Sequence, residues 1–171
     1  MTFTLRQLQE EQRPWVKHNF GGGRPWMPLL GIGEEVGEFI SAKERQDRDE
    51  QADALADMVI FAADYCSEMG WDLQEIKKAC KITTDLSFFG VEIELAQCVF
   101  KMHHHHLKLS QGIRTSEQHE AEIKRWLGRL LHWAFVISNA FYGDLLDIVE
   151  GTWAHVKKRD WKKDAAHGGE V

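Results

Sequence analysis

The sequence predicts an all-α fold, a helical bundle, and three observations predict it. Apolar residues recur at helical spacing in every long segment, and no run alternates convincingly as a strand does. The only three prolines all precede residue 29, so nothing beyond that point bars long helices. Of the 171 residues, 43% are hydrophobic. That is enough for a sizeable core in one compact domain or in two small, closely packed repeats.

The elements follow in order. Thr4 and Gln7 have capping-box spacing and open a helix that runs towards Asn19. The glycine run Gly21, Gly22 and Gly23, followed by Arg24 and Pro25, breaks the chain. A second helix is expected from about Pro28 to Gln46. Asp47 or Asp49 can cap a third, which continues to about Met69 before Gly70. Within it Leu55, Val59, Ala62, Cys66 and Met69 recur at steps of four, three, four and three, one apolar stripe at helical period. A short helix follows Asp72. Long helical patterns then cover about residues 86–109, 116–141 and 144–159, and residues 164–171 read as a flexible tail.

An internal repeat organises these segments. Residues 53–76 align with residues 125–148 at a constant offset of 72, pairing Leu55 with Leu127, Ala62 with Ala134, and Asp72 with Asp144. Upstream, LLGIGEEVGE from Leu29 is similar to FFGVEIELAQ from Phe88, at an offset of 59. The expected division is a first repeat over residues 1–85 and a second over residues 86–163. The copies differ in their acids. Glu34 becomes Ile93, Glu38 becomes Gln97, Asp53 becomes Arg125 and Asp57 becomes Arg129, while Glu94 stands opposite Glu35.

The net charge is −6, from 27 acidic against 21 basic residues, which argues against a general nucleic-acid binder. An acidic protein that handles polyphosphates needs cations to bridge like charges. Cys66, Cys80 and Cys98 form neither a zinc pattern nor a disulfide framework and read as small buried hydrophobes. With no apolar signal core at the N-terminus and no stretch of membrane-spanning length, a cytoplasmic protein with no membrane partner is expected.

The carboxylates carry the chemistry. Glu34, Glu35 and Glu38 stand at i, i+1 and i+4, Asp53 and Asp57 are four apart, and Glu50 extends the latter face. Such clusters repel themselves, and hard divalent cations with oxygen ligands are the usual remedy. Magnesium suits phosphate chemistry, and a carboxylate not committed to metal can orient or deprotonate water. Solvated helix faces are the ordinary alternative. Gly31, Gly33 and Gly37 weigh against it, since each costs about 1 kcal/mol relative to alanine inside a helix.

With these residues in view, the sequence resembles the MazG-like all-α nucleoside triphosphate pyrophosphohydrolases. Glu34, Glu35 and Glu38 match that family's EExxE pattern. Its second acidic pair, commonly ExxD, is altered here: Ala54 stands three before Asp57, and the nearest acid is Asp53. The resemblance extends over DALADMVIFAADYC from Asp53 and WAHVKKRDW from Trp153. It implies a MazG-like bundle of two tandem repeats, a pseudo-dimer within one chain, with the second copy degenerate. It implies magnesium, with manganese as a substitute, held by Glu34, Glu35, Glu38, Asp53 and Asp57, with Glu35 and Glu38 catalytic. The implied reaction is hydrolysis of a nucleoside or deoxynucleoside triphosphate to monophosphate and pyrophosphate, serving nucleotide-pool control or house-cleaning. Further pairing into a homodimer stays open.

Trp15, Asn19 and Phe20, before the glycine loop, are candidates for a nucleobase wall, with core packing and helix capping as the alternative. Lys158 and Arg159, in the terminal stretch similar to the family, are candidates for phosphate binding, though basic residues also favour helix ends for dipole reasons. Arg125 and Arg129 can meet phosphate, carboxylates of the first copy, or solvent. His103 to His106 point in different directions on a helix and cannot converge on one ion. Two rival functions remain: a relative specific for dUTP or a phosphoribosyl nucleotide, and a non-catalytic nucleotide sensor or assembly protein.

Overall fold

A computed structural model describes residues 2–81 and 90–166, and every element among them is a helix. They are α1 (Leu5–Phe20), α2 (Trp26–Arg45), α3 (Arg48–Met69), α4 (Leu73–Ala79), α5 (Val91–Ser110), α6 (Ser116–Phe141) and α7 (Leu145–Val156). Local chemistry accounts for most of the ends. The Thr4 hydroxyl accepts from the Gln7 amide, Asp47 from Glu50, Asp72 from Glu75, Thr115 from Gln118 and Asp144 from Leu146. Gln46 and Gly70 close α2 and α3 in the left-handed region.

Some boundaries depart from the sequence expectation. At Thr4 the box is altered: the hydroxyl donates to Gln7 Oε1, whereas a capping box has the Gln7 side chain reaching back to the Thr4 amide. α1 carries Pro14 in its interior, on an exposed face where one missing backbone hydrogen bond is tolerated. α2 starts at Trp26, because Pro28 falls in the first turn, where its missing N–H has no helical partner to lose. The expected start of the fifth helix near residue 86, Phe88 of the upstream repeat match and the boundary between residues 85 and 86 lie outside the described residues. α7 ends at Val156 and leaves Lys157 and Lys158 in a turn, with Arg159 beyond it.

α2 and α3 form one hairpin and α5 and α6 another, with α2 laid against α5. The short helices cross over: α4 packs on α6, and α7 packs on α3. α1 covers α3, α4 and α7. The apolar stripe is where periodicity placed it, with Leu55, Val59, Ala62 and Cys66 fully buried. Buried amides tie elements together. Gln12 donates to the Ile60 carbonyl, and Gln9 bridges the Trp71 carbonyl and the Leu73 amide at the entry to α4. Cys66 and Cys98 are buried and Cys80 is only half-buried; none is in a disulfide. No helix among the described residues is long and apolar enough to cross a membrane.

Candidate functional site

Two of the three suspicious glycines let neighbouring helices approach closely. A Cβ on Gly31 would sit 2.5 Å from the Phe61 ring, so α2 and α3 pack as near as they do because that atom is missing. A Cβ on Gly33 would meet His103 at 3.3 Å and Val99 at 3.4 Å, where α2 rests on α5. Gly37 has nothing within 4 Å of that position, so close helix packing does not explain it.

The close α2–α3 contact sets the acids against one another. Glu35 is only 7% exposed, and its Oε2 has no hydrogen-bond partner. Burial, followed by the charges of Asp57, Glu38, Glu34 and Asp53, pushes its carboxyl up to about 8. Asp57, half-buried on the facing helix, is pushed to about 7, first by burial and then by Asp53; Arg159 opposes the rise and Glu38 adds to it. Glu34, Glu38 and Asp53 are exposed at the rim. Asp53 Oδ1 accepts from the Thr152 hydroxyl of α7 at 3.0 Å, a neighbour that sequence spacing had no means of finding. Glu50 turns away to pair with Arg45 at 2.6 Å.

Among the described residues no group of three or more His, Cys, Asp or Glu side chains is arranged to hold a metal ion. The five acids share the facing surfaces of two helices without converging on a point. Their chemistry still suits a hard cation: every donor is a carboxylate oxygen, one of them is buried and unpaired, and two of the carboxyls are destabilised as anions by their neighbours.

The C-terminal residues reach the site by a long-range fold-back. Trp15 Nε1 donates to the Arg159 carbonyl at 3.0 Å, and the Trp161 amide donates to Asn19 Oδ1 at 2.8 Å. The polar groups of Trp15 and Asn19, candidates for a nucleobase wall or for packing and capping, are engaged in holding this segment. Trp15 also packs edge-on against Phe20 and Trp153. Phe20 is 40% exposed and lines a small cleft at the glycine loop. The fold-back sets Arg159 close enough to Asp57 to oppose the rise of its carboxyl. Lys158 is exposed, and Lys157 pairs with Glu11 at 3.0 Å.

Residues 1–81 match the family model of PRA-PH, phosphoribosyl-ATP pyrophosphohydrolase. No curated protein and no solved structure matches the chain. The PRA-PH match takes in α1 to α4 and all five acids, and stops before the second hairpin. PRA-PH is a hydrolase of acid anhydrides within the MazG-like all-α superfamily, so the N-terminal segment is similar to a pyrophosphohydrolase domain.

At the aligned positions of the second hairpin the chemistry is inverted. Arg129 donates to Glu94 Oε2 through Nε at 3.0 Å and through a terminal nitrogen. Arg125 pairs with Glu122 and lies over the Trp126 ring. Among the described residues both arginines thus pair with acids of α5 and α6, and neither with the carboxylates of α2 and α3. A cleft of about 790 Å³ lies between α4 and α6, and none of the five acids lines it. Three of the four histidines have separate hydrogen-bond partners. His103 donates to the Leu29 carbonyl at 3.1 Å, His106 meets the Tyr65 hydroxyl at 3.1 Å, and His105 meets His119 at 3.1 Å.

Proposed function

We propose that the chain hydrolyses the α–β phosphate linkage of a nucleoside or deoxynucleoside triphosphate, releasing pyrophosphate and the monophosphate, with the α2–α3 acids as its site. The carrying observation is the buried Glu35 carboxyl, unpaired at Oε2 and facing Asp57 across the helix contact, with both groups held above the ordinary carboxylate range. A second reading, phosphoribosyl-ATP itself as substrate, draws on the name of the matched family and breaks the same kind of bond.

Glu34, Glu35, Glu38, Asp53 and Asp57 would hold magnesium, or manganese in its place; when bound it supplies charge neutralisation between carboxylates and phosphate oxygens. Glu35 Oε2, spent on no protein donor, is placed to accept a proton from the attacking water once the neighbouring charges are offset. Glu38, exposed one turn further along α2, is the second acceptor. Arg159 supplies a cation beside Asp57 for the phosphates, and Lys158 a solvent-side one. The reading also takes the chain as two tandem MazG-like repeats, the second without a working site, in a cytoplasmic enzyme of nucleotide-pool control. Pairing of two chains draws support from Ile93, Phe100 and Leu107, exposed on α5 at seven-residue spacing.

The test resolves pyrophosphate from orthophosphate after incubation with magnesium and each common ribo- and deoxynucleoside triphosphate, with phosphoribosyl-ATP alongside. Metal-dependent pyrophosphate with matching monophosphate is the expected result. No turnover of any of them, with magnesium or manganese, overturns the proposal and leaves a nucleotide-binding sensor as the better reading.

A further inference from the structure

One turn past Asp57 on α3 comes Phe61, and one turn further Asp64, so these residues follow one another along a single helix face. Asp64 opens into a cleft of about 160 Å³ between the end of α1, the glycine loop and the start of α2. Val16, Phe20, Met27, Pro28 and Phe61 give it largely apolar walls with two aromatic rings. Seven residues of helix put Asp64 about 10 Å from Asp57. That is the scale of the separation between a base edge and the phosphates of a nucleotide.

Asp64 is half-buried, and among the described residues no hydrogen bond or ion pair reaches its oxygens. Its neighbour Glu68 is already engaged, accepting the Arg24 amide at 2.8 Å and so fixing the glycine loop. A partly buried carboxylate without donors costs free energy, and burial with the Glu68 charge raises this one to about 6. The fold does not demand an acid there. At the offset of 72 the second half carries Val136.

Resting on the hydrolase reading above, we propose that Asp64 reads the base in this cleft and that the base is guanine. An ionised carboxylate only accepts hydrogen bonds. Guanine presents two adjacent N–H donors, N1 and the 2-amino group, on its Watson–Crick edge, and a carboxylate can take both. Adenine, cytosine and uracil each set a donor beside an acceptor, and that acceptor would face a carboxylate oxygen. Phe20 and Phe61 supply ring surfaces against which a planar base can lie. Such a preference would set this chain apart from the adenine nucleotide in the matched family's name.

The experiment compares kcat/KM for pyrophosphate release from GTP, ITP and ATP in the native chain and in Asp64→Asn and Asp64→Leu. ITP lacks only the 2-amino group. A GTP-to-ITP ratio of roughly tenfold or more is expected in the native chain, the scale of one hydrogen bond to a charged group. Both variants should bring the GTP-to-ITP and GTP-to-ATP ratios towards one. Unfolding midpoints no lower than native would show that the variants fold. A native chain without guanine preference, or variants that slow all three nucleotides by the same factor, would overturn the assignment of Asp64 and leave the hydrolase reading standing. If no triphosphate is turned over, the hydrolase reading falls by itself. Calorimetric binding of GMP against IMP then decides the Asp64 assignment: tighter GMP binding that Asp64→Asn abolishes supports it, and equal binding refutes it.

Discussion

Replacing Glu35 by glutamine should stabilise the metal-free protein at alkaline pH while removing its activity. The folded-state carboxyl is raised from an ordinary 4.5 to about 8. Below 4.5 the group is protonated whether the chain is folded or not, and it costs nothing. Between 4.5 and 8 the unfolded chain ionises while the folded one stays protonated, so stability falls as pH rises, and above 8 the loss is complete. At about 1.4 kcal/mol per pH unit, the interval from pH 5.5 to 8 corresponds to a loss of about 3 kcal/mol. Asp57 is raised from an ordinary 3.8 to about 7, so its loss falls in an overlapping window. Urea unfolding in chelator at pH 5.5 and pH 8.5 measures the difference. The native chain should lose stability over that interval, and Glu35→Gln should recover about 3 kcal/mol of it. Magnesium should then raise the native midpoint at pH 8.5 and leave that of the variant nearly unmoved. Equal pH dependence in the two proteins, or a variant less stable at pH 8.5, would refute the assignment of a buried, unpaired acid at this position.

Glu38→Gln should lower magnesium-dependent pyrophosphate release by about a hundredfold or more with an unchanged helical circular dichroism spectrum, as expected for loss of an acid–base or ligand group; retained turnover would remove Glu38 from the site. Gly31→Ala places a Cβ 2.5 Å from the Phe61 ring, and the forced separation of α2 from α3 should cost about 1–3 kcal/mol in thermal or urea unfolding, against the gain alanine brings to an open helix position. Glu94→Gln breaks the pair with Arg129, whose side chains are about one-third exposed; it should cost about 1 kcal/mol or less and leave pyrophosphate release unchanged. A tenfold loss of activity there would mean that the second hairpin takes part in the reaction.

The helices were legible because they rest on local signals. The stripe from Leu55 to Cys66 is a periodicity, and Asp47, Asp72 and Asp144 announce helix starts through one side chain and one amide a few residues on. The acids that face one another were legible for the same reason, since spacing of three and four puts residues on one helix face. Contacts across long sequence separations were not. Nothing near Trp15 or Asn19 signals that their polar atoms hold residues 159 and 161, which lie more than 140 positions away. The same holds for Thr152 on Asp53, and for His106 on Tyr65. Asp64 stood in plain view as the residue seven past Asp57. Its meaning came only from the cleft beside it, built by α1 and α2.

The two hairpins answer one electrostatic problem in two ways, and the contrast bears on function more than either half does alone. Glu35 and Glu94 correspond in the sequence alignment at an offset of 59, and each feels a residue of the next helix, Asp57 or Arg129. In the second hairpin that residue is arginine, and the guanidinium cancels the carboxylate with two hydrogen bonds from the chain's own atoms. In the first it is aspartate, which deepens the repulsion and leaves a buried oxygen without a donor. Stability alone would favour the arginine, a solution this chain already uses between α5 and α6. Setting two acids against one another costs stability that a purely structural role does not require, and the proposed cation between α2 and α3 would account for that cost. A cation brought from solution can leave coordination positions open to phosphate oxygens, whereas a guanidinium already paired with Glu94 offers none of the kind. That difference is the physical reason to place the chemistry between α2 and α3 and to regard the α5–α6 hairpin as its support.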